Sequence, residues 1–266
     1  MKKTILITGS TDGIGLEAAK KLVNLGHQVL IHGRDPEKVD RTQELLTELA
    51  SGNPITGYIA DLSILDNVPR LSEQIKSEHT KLDVIINNAG VFKTPTPVTP
   101  QGMDMRFVVN TLAPFLLTQK LLPLLDSNSR IINLSSAAQA PVDLDALAGK
   151  TLPSEDFNAY AQSKLALTMW SRALSKTAVP TIVAINPGSL LATNMVREGF
   201  GVPGKDINIG ANILVRAALS DEFTDADGKY FDNDKGTFSE PHPDALNDNK
   251  NHKIIETIKK TLISFL

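Results

Sequence analysis

The sequence predicts an α/β fold: a single domain built on a doubly wound parallel sheet with helices on both faces. Short β-branched runs recur along the chain, and a helical stretch follows each one, as in right-handed βαβ units. Several runs, such as 84–86 and 181–185, are apolar without alternation, which is typical of strands buried on both faces. No linker or low-complexity segment divides the chain, so one domain is expected over residues 1–266.

The predicted elements follow one another in regular alternation. Strands are expected at Thr4–Thr8, Gln28–Ile31, Pro54–Ala60, Asp83–Asn87, Arg130–Leu134 and Pro180–Ile185. Helices are expected at Ile14–Leu25, Pro36–Ala50, Ser63–Ser77, Gly102–Asp126 and Asp156–Lys176, with a last helix at about 243–264. Asp35 before Pro36 is a typical helix N-cap, and Pro123 should end or kink the fourth helix. Irregular segments are expected at Ala137–Glu155, Ser189–Ile207 and Ser239–Asn251.

The composition excludes several classes of function. The chain has no cysteine, which rules out disulfides, cysteine-ligated metals and a thiol nucleophile, and its five histidines lack ligand spacing, so no metal is predicted. With 27 basic and 30 acidic residues and no long basic run, nothing favours binding to nucleic acid or an anionic membrane. No membrane span and no signal peptide are predicted, so we expect a cytoplasmic protein.

A glycine-rich turn joins the first predicted strand to the first helix. In Thr8–Gly15, glycines allow a tight turn and a close approach of backbone N–H groups to a pyrophosphate, which would sit at the helix N-terminus. A plain strand–turn–helix connection is the alternative. The position at the first βα junction favours dinucleotide binding by the residues Gly9, Ser10, Thr11, Asp12, Gly13, Ile14 and Gly15.

The end of the second strand bears on the choice of dinucleotide. About 20 residues past the glycines, an acidic residue would bind the ribose of NAD, whereas an arginine would accommodate the 2′-phosphate of NADP. Gly33 stands in the place of the acid and Arg34 follows it. We therefore expect NADP(H) to be preferred. In the alternative, Arg34 is a solvated loop residue, Asp35 reaches the ribose, and NAD(H) is used.

Several further motifs occur in a specific order along the chain. They are Asn87-Asn88-Ala89-Gly90, Asn110, Ser136, Tyr160-Ala161-Gln162-Ser163-Lys164 and Pro187-Gly188. With the glycine turn, this ordered set resembles the short-chain dehydrogenase/reductase family over nearly the whole chain. The resemblance implies a Rossmann fold. More narrowly, the segment 101–123, the long gap between Ser136 and Tyr160, and the ending 228–231 resemble the retinol dehydrogenase-like branch.

The resemblance also implies further cofactor contacts. Asp61 and Leu62 would contact the adenine, and the segment Asn88, Ala89 and Gly90 would line the ribose, with Pro187 and Gly188 beyond the sixth strand. Asp61 could instead cap a turn, and 87–90 could be a turn chosen for its backbone angles. Many family members bind the carboxamide through a threonine at the position of Ala192, so Thr193, one residue later, is the candidate here. Asp12 departs from the basic residue that NADP-using members often have there.

Tyr160 and Lys164 carry the predicted chemistry. Four residues apart on a helix, they share one face, and a nearby ammonium typically lowers an acid's pKa. The phenol could then exchange a proton with a carbonyl or alcohol oxygen. The resemblance implies that Lys164 also binds the ribose, that Ser136 holds the reacting oxygen, and that Asn110 supports a water. Adjacent strand residues point to opposite faces, so only one of Ser135 and Ser136 can face the cofactor, and the family pattern selects Ser136.

The predicted function follows from these sites. The chain should be an oxidoreductase that transfers hydride between NADP(H) and the carbonyl/alcohol pair of an apolar small molecule. A regulator that senses NADP(H) without turnover is the alternative. The segment 189–207 is expected to be a substrate loop that closes over the site, with packing or a homo-oligomer contact as the alternatives.

Overall fold

One sheet forms the centre of the structure. In the computed structural model, which describes residues 1–50 and 52–266, the strands β1 to β8 are Thr4–Ile7, Gln28–Gly33, Ile55–Ile59, Val84–Asn87, Arg130–Leu134, Thr181–Asn186, Tyr230–Asp232 and Thr237–Ser239. Their order in the sheet is β3-β2-β1-β4-β5-β6-β7-β8. All neighbours pair in parallel except β7 and β8, which are antiparallel.

All six predicted strands are confirmed, with small shifts at their ends. The two strands that the sequence did not predict, β7 and β8, have three residues each, too few for a periodic pattern to be read. They form a hairpin at one edge, so a single antiparallel pair ends the doubly wound parallel sheet that the sequence predicts.

The helices lie on both faces of the sheet, as predicted. The helices α1 to α10 are Gly13–Asn24, Pro36–Leu49, Asn67–Glu78, Met105–Phe107, Ala113–Leu121, Leu144–Leu147, Asp156–Ser175, Asn194–Phe200, Asn208–Leu219 and Asp248–Thr261. A π-helical turn, Val108–Leu112, joins α4 to α5. Asp35 caps α2 by accepting a hydrogen bond from the Lys38 N–H, and a 3₁₀ turn at Leu122–Leu124 ends the α5 run around Pro123, both as predicted.

Three helices lie where the sequence predicted none. The four-residue α6 and the short α8 lie within the segments 137–155 and 189–207, which were expected to be irregular. The cap Thr193 precedes α8, and the left-handed Gly201 follows it. The longer α9 was missed because it begins without a side-chain cap and carries Gly210 in its first turn. A methyl group on Gly210 would lie 2.6 Å from Leu191 Cδ1, so this glycine lets α9 pack closely on the segment that follows β6. The last helix starts at Asp248, later than expected.

The core has two layers, one on each face of the sheet. Side chains of alternate residues in β1 enter different layers: Ile5 and Ile7 pack with α1, α2 and α9, whereas Leu6 packs with α3, α5, α7 and α10. The continuous apolar strands therefore supply both layers at once. The helical run Met105–Leu124 is long and apolar enough to cross a membrane, but most of it is buried in the second layer, as in the core helix of a soluble protein.

The chain reverses its winding direction between β1 and β4. The strand order runs from β1 outward to β3 on one side and from β4 outward on the other. In open α/β sheets, ligands bind at this switch point, beyond the carboxyl ends of the strands. The loops after β1, β4, β5 and β6 therefore meet at one edge, and these loops carry most of the predicted site residues.

A buried ion-pair group links two helices beside this edge. The Arg106 guanidinium on α4 pairs with the Asp104 carboxylate and with Asp156, the first residue of α7. Its Nε donates to Asp104 Oδ1 at 2.9 Å. Arg106 and Asp104 are 2% and 1% exposed, so solvent cannot replace either partner. This group fixes the start of the helical run that holds Asn110 relative to the helix that holds Tyr160 and Lys164.

Replacement of Arg106 by Met should destabilise the protein by about 3–5 kcal/mol, because the Asp104 carboxylate stays buried without its partner. Denaturant unfolding followed by circular dichroism measures the loss. Arg41→Met is the matched control, because its pair with Glu37 is exposed and should contribute about 0–1 kcal/mol. Equal unfolding midpoints for the two variants would contradict this account.

Candidate active site

The turn between β1 and α1 has the backbone that the glycines predict. Gly9 and Gly13 adopt positive φ values of 63° and 61°. A methyl group on Gly9 would lie 2.8 Å from the Ala89 Cα atom, so the loops after β1 and β4 touch there. Asp12 caps α1 by accepting from the Gly13 N–H at 2.7 Å. The N-terminus of α1 is thus presented at the switch point, where an anion would be stabilised.

Asn88 holds this turn in place. Its side-chain Nδ2 donates to the carbonyl oxygens of Thr8 and Gly9, each at 2.8 Å. In return, the Thr8 hydroxyl accepts from the N–H groups of Asn88 and Ala89, each at 3.1 Å. The Asn88 amide therefore supports the turn itself. Any contact between a ribose and the segment 88–90 must be made by other atoms of that segment.

Ser10 also serves the turn from within the protein. Its buried hydroxyl donates to the Ile7 carbonyl and accepts from the His32 N–H. The His32 ring accepts from the Gly9 N–H at Nδ1, 3.2 Å away, and its Nε2 lies 3.0 Å from the Ala60 carbonyl oxygen. Burial lowers the pKa of His32 to about 4, so the ring is neutral and can accept this bond at neutral pH. The Ser10 side chain cannot face a ligand.

Of the residues predicted to contact the adenosine part of the cofactor, some have side chains that already bond or pack within the protein, and others do not. Arg34 is exposed after β2, and no ion pair to it is found among residues 1–50 and 52–266. Asp35 is occupied by its capping bond. The Asp61 carboxylate accepts from the Ser63 N–H at 2.9 Å, which matches the capping alternative, and Leu62 is buried in the core. Any adenine contact at Leu62 must therefore come from its backbone.

Asn110 is anchored by three hydrogen bonds. Its Oδ1 accepts from the Val91 N–H at 2.8 Å, and its Nδ2 donates to the Val91 carbonyl and the Ser163 hydroxyl, each at 2.9 Å. Asn110 lies in the π-helical turn, a feature often found at functional sites. A methyl group on Gly90 would lie 3.3 Å from Asn110 Oδ1 and 3.4 Å from Lys164 Nζ, so these two polar groups flank one glycine.

Lys164 and Tyr160 share a face of α7, as their spacing predicts. The Lys164 Nζ donates to the Leu134 carbonyl at 2.7 Å and lies 5.7 Å from the centre of the Tyr160 ring. Burial lowers the pKa of Lys164 to about 8. The expectation of a depressed tyrosine pKa is wrong for this structure: burial raises the pKa of Tyr160, and only a hydrogen bond with Ser136 opposes that rise. Desolvation outweighs the cation here because Nζ is directed at Leu134.

The two serines after β5 point in different directions. Ser135 is buried, and its hydroxyl lies 2.6 Å from the Thr168 hydroxyl on α7. Ser136 is partly exposed and lines the same pocket as Tyr160. Its hydroxyl accepts from the Ala138 N–H at 3.1 Å, and its carbonyl accepts from the Tyr230 hydroxyl at 3.1 Å. The new strand β7 therefore fixes the backbone at Ser136.

The segment after β6 is anchored at its base and carries α8 over the pocket. The Asp234 carboxylate, beside β7, accepts from the Ser189 N–H at 2.9 Å, and Asn233 donates to the Pro187 carbonyl at 2.8 Å. Further along, the Ala192 N–H donates to the Lys205 carbonyl and the Lys205 N–H donates to Leu190, each at 2.7 Å. The residues between the paired Ala192 and Lys205, 193–204, form the part of the segment that includes α8.

Thr193 and its neighbour approach the glycine turn. Thr193 Cγ2 would lie 3.8 Å from a methyl group on Gly13, and the Asn194 side chain donates to the Asp12 carboxylate. Beneath α8 lies a cavity of about 250 Å³. Its wall includes the polar groups of Ser136, Tyr160 and Thr193 among mostly apolar side chains. The structure thus brings Tyr160 and Ser136 to an apolar pocket next to the turn, whereas Lys164 and Asn110 lie behind them and do not line it.

Sequence reasoning missed two aromatic residues at this pocket, Phe92 and Phe157. Both line the cavity with Tyr160, and the centre of the Phe92 ring lies 5.2 Å from that of Tyr160. Phe157 stands three residues before Tyr160 on one helix, so its spacing could have revealed it. Phe92 follows the 87–90 motif by two residues, and no local pattern marks it. Tyr230 and Asp234 were missed together with the hairpin that carries them.

Comparison with known proteins identifies the family. The family model described as short chain dehydrogenase matches residues 3–200. The chain is a member of the short-chain dehydrogenase family. Human retinol dehydrogenase 13 is 32% identical over 86% of this chain and 76% of that protein. Short-chain dehydrogenase TIC 32 A, chloroplastic, from Brassica napus is 32% identical over 86% of this chain and 79% of that protein.

A solved structure agrees with both the fold and the family. A short chain dehydrogenase from Escherichia coli CFT073, complexed with NADPH, superposes with a TM-score of 0.70 and 28% identity, covering 87% of this chain and 96% of that chain. The chain described here is therefore an NAD(P)-dependent dehydrogenase/reductase. Its own residues fit a nicotinamide dinucleotide. Gly9 and Gly13 form a cradle that side chains would fill, the N-terminus of α1 faces that cradle, and Arg34 is a free cation among the residues that the structure describes.

Replacement of Gly15 by Ala should weaken dinucleotide binding. The added methyl group would overlap the Asn88 amide and the Gly9 carbonyl oxygen, so the turn must move, at a cost of about 1–3 kcal/mol in stability. Titration with NADPH and thermal unfolding measure both effects. Gly236→Ala is the control: it has a positive φ of 70° but no atom within 4 Å, so it should lose stability and keep its affinity. Unchanged affinity in Gly15→Ala would refute the cradle.

Proposed function

We propose that this short-chain dehydrogenase transfers hydride between NADP(H) and the carbonyl/alcohol pair of an apolar small molecule. The observation that carries the proposal is the meeting of Tyr160, Ser136, Lys164 and Asn110 at the switch point, beside an apolar cavity. A bound nicotinamide would supply or accept the hydride. The chain's own residues must therefore bind the substrate, orient it and move one proton.

Tyr160 is the proposed acid in the reductive direction. Because burial raises its pKa, the phenol is protonated at neutral pH and can donate its proton to a carbonyl oxygen. The Ser136 hydroxyl accepts from the Ala138 N–H, and its own hydrogen, which bonds to the Tyr160 phenol in this structure, would turn to hold the reacting oxygen of a bound substrate. In the oxidative direction, the same phenol must first lose its proton, a step that the Lys164 charge favours.

Lys164 and Asn110 are proposed to connect the phenol to solvent. With a pKa lowered to about 8, Lys164 can release and regain a proton near neutral pH. Asn110 uses both Nδ2 hydrogens and one Oδ1 lone pair in its three bonds, which leaves one lone pair for a water. Both groups flank Gly90, where a side chain would block this path. Lys164 is also proposed to bind the nicotinamide ribose.

The preference for NADP(H) over NAD(H) rests on Arg34. Its exposed guanidinium has no ion pair among residues 1–50 and 52–266, while the neighbouring Asp35 carboxylate caps α2. A free arginine suits a 2′-phosphate, and an occupied carboxylate is less available to a ribose. The NADPH complex of the Escherichia coli relative supports the same choice.

The apolar substrate is supported by the walls of the cavity and by the relatives. Leu190, Met195 and Phe200 from the segment 189–207 line it together with Tyr160. The name of human retinol dehydrogenase 13 refers to an apolar alcohol. We propose that this segment is the substrate loop and that the enzyme works in the cytoplasm. Spectrophotometric screening of aldehydes, ketones and alcohols with NADPH, NADH and their oxidised forms tests the function, and turnover of no compound would favour a regulator that only senses the dinucleotide.

Replacement of Tyr160 by Phe should reduce kcat by about 10²–10⁴-fold while leaving NADPH affinity nearly unchanged, because only the proton-transferring hydroxyl is lost. Steady-state kinetics and NADPH titration measure the two quantities. Tyr58→Phe is the control, because Tyr58 is buried far from the cavity beside Glu78. A Tyr160→Phe enzyme with wild-type kcat would exclude the proposed acid.

The pH profile of reduction should show the titration of Lys164. Its charge is present below a pKa of about 8 and is lost above it, so kcat/KM should fall as the pH rises through about 8. In Lys164→Met, this limb should be absent and the rate should already be low at pH 7. A limb that persists near pH 8 in the variant would assign it to another group.

Replacement of Arg34 by Ala should weaken NADPH binding by about ten- to a hundredfold, since a charge-assisted contact contributes roughly 1.5–3 kcal/mol. NADH lacks the 2′-phosphate and should bind as before. Fluorescence titration of both cofactors measures the change. Equal losses for both cofactors, or a wild-type preference for NADH, would show that Asp35 or another group reads the ribose.

A further inference from the structure

Two cavities lie on either side of one aromatic cluster. The inner cavity, of about 250 Å³, contains Tyr160 and Ser136. The outer cavity, of about 480 Å³, is open to solvent and includes Lys93, Glu155 and Asp156 in its wall. Three residues line both cavities, namely Phe92, Phe157 and Phe200. These three side chains, here called the aromatic partition, are all that the two linings share.

Phe92 is the fixed centre of the aromatic partition. Its ring stacks on that of Phe200, with centres 5.3 Å apart and planes at 25°, and meets the Phe157 ring edge-on at 6.2 Å. Phe92 is only 5% exposed, whereas Phe157 and Phe200 are about half exposed. The backbone just before it is held, because both polar groups of Val91 bond to the Asn110 side chain.

Gly199 allows α8 to close against this ring. A methyl group on Gly199 would lie 2.6 Å from the Phe92 Cδ1 and Cε1 atoms, so any side chain there would force the helix away. The loop helix thus rests on Phe92 itself. Phe200, the next residue, completes the stack from the loop side.

We propose that Phe92 is a specificity-determining residue that limits the length of the substrate. This inference rests on the proposed function. With the ring in place, a carbonyl compound that reaches Tyr160 must fit its body into the part of the inner cavity that a bound cofactor would leave. Even the whole cavity lies below the roughly 300–1,000 Å³ of pockets for drug-sized ligands. Short apolar carbonyl compounds are therefore the preferred class. Loss of the ring joins the cavities and admits longer chains.

The test compares straight-chain aldehydes of about 4 to 12 carbons as substrates. We expect kcat/KM in the wild type to peak at the shorter chains and fall for the longer ones. In Phe92→Ala, the peak should shift to longer chains, with a gain of about tenfold for every two further methylenes that become buried. Phe92→Leu, which keeps most of the apolar bulk, should shift the peak less. The control Phe238→Ala removes a ring from the distant cluster on β8 and should leave the peak where it was.

A second measurement separates the possible failures. Binding of straight-chain primary amides, which are not reduced, is followed by calorimetry in the presence of NADP⁺, and their preferred length should shift in the same way. If the wild type reduces no aldehyde but binds amides with the expected length preference, the proposed function fails and the inference about Phe92 stands. If Phe92→Ala and Phe92→Leu keep the wild-type length profile in both assays, Phe92 does not limit the substrate.

Discussion

The contact between the loops after β1 and β4 is the constraint on which the rest of the site depends. The strand order reverses between these two strands, so their loops diverge and open a crevice, yet Gly9 and Ala89 must touch at its base. The Asn88 amide secures that contact by bonding both carbonyl oxygens of the turn. The position of these two loops determines three other features of the site. They are the position of the N-terminus of α1, the approach of Gly90 to Lys164, and the hydrogen bonds between Asn110 and Val91.

Burial sets the electrostatics of the site more than pairing does. Within the part of the chain that the structure describes, the Lys164 ammonium has no carboxylate beside it, and the hydrogen bond that Nζ donates goes to the Leu134 carbonyl. Desolvation therefore lowers the pKa of the Lys164 ammonium. It also raises the pKa of the Tyr160 phenol, which stays protonated at neutral pH. By contrast, Arg106, which is equally buried, has two carboxylates as partners. One buried cation holds helices together, and the other remains ready to titrate.

The sequence could predict what depends on local pattern. The inner strands β1, β2, β4, β5 and β6 are largely buried and carry apolar runs, and the glycine turn, the cap Asp35 and the Tyr160–Lys164 spacing are local signals. Phe92 and Tyr230 lacked such signals, because their roles arise from contacts between loops or strands distant in sequence. The Tyr160 pKa was expected in the wrong direction, because spacing on a helix reveals a neighbouring cation but not the loss of solvent around both groups.

The β7–β8 hairpin has a mechanical consequence for the segment 189–207. Asp234 and Asn233 fix its start, and the bonds of Lys205 to Leu190 and Ala192 close its base, so the free part is α8 with its flanking residues. Gly201 and Gly204, both with positive φ, stand at the end of that part. If this segment closes over the substrate as proposed, ligand exchange needs only the rotation of one seven-residue helix about a closed base, and every strand of the sheet can keep its register.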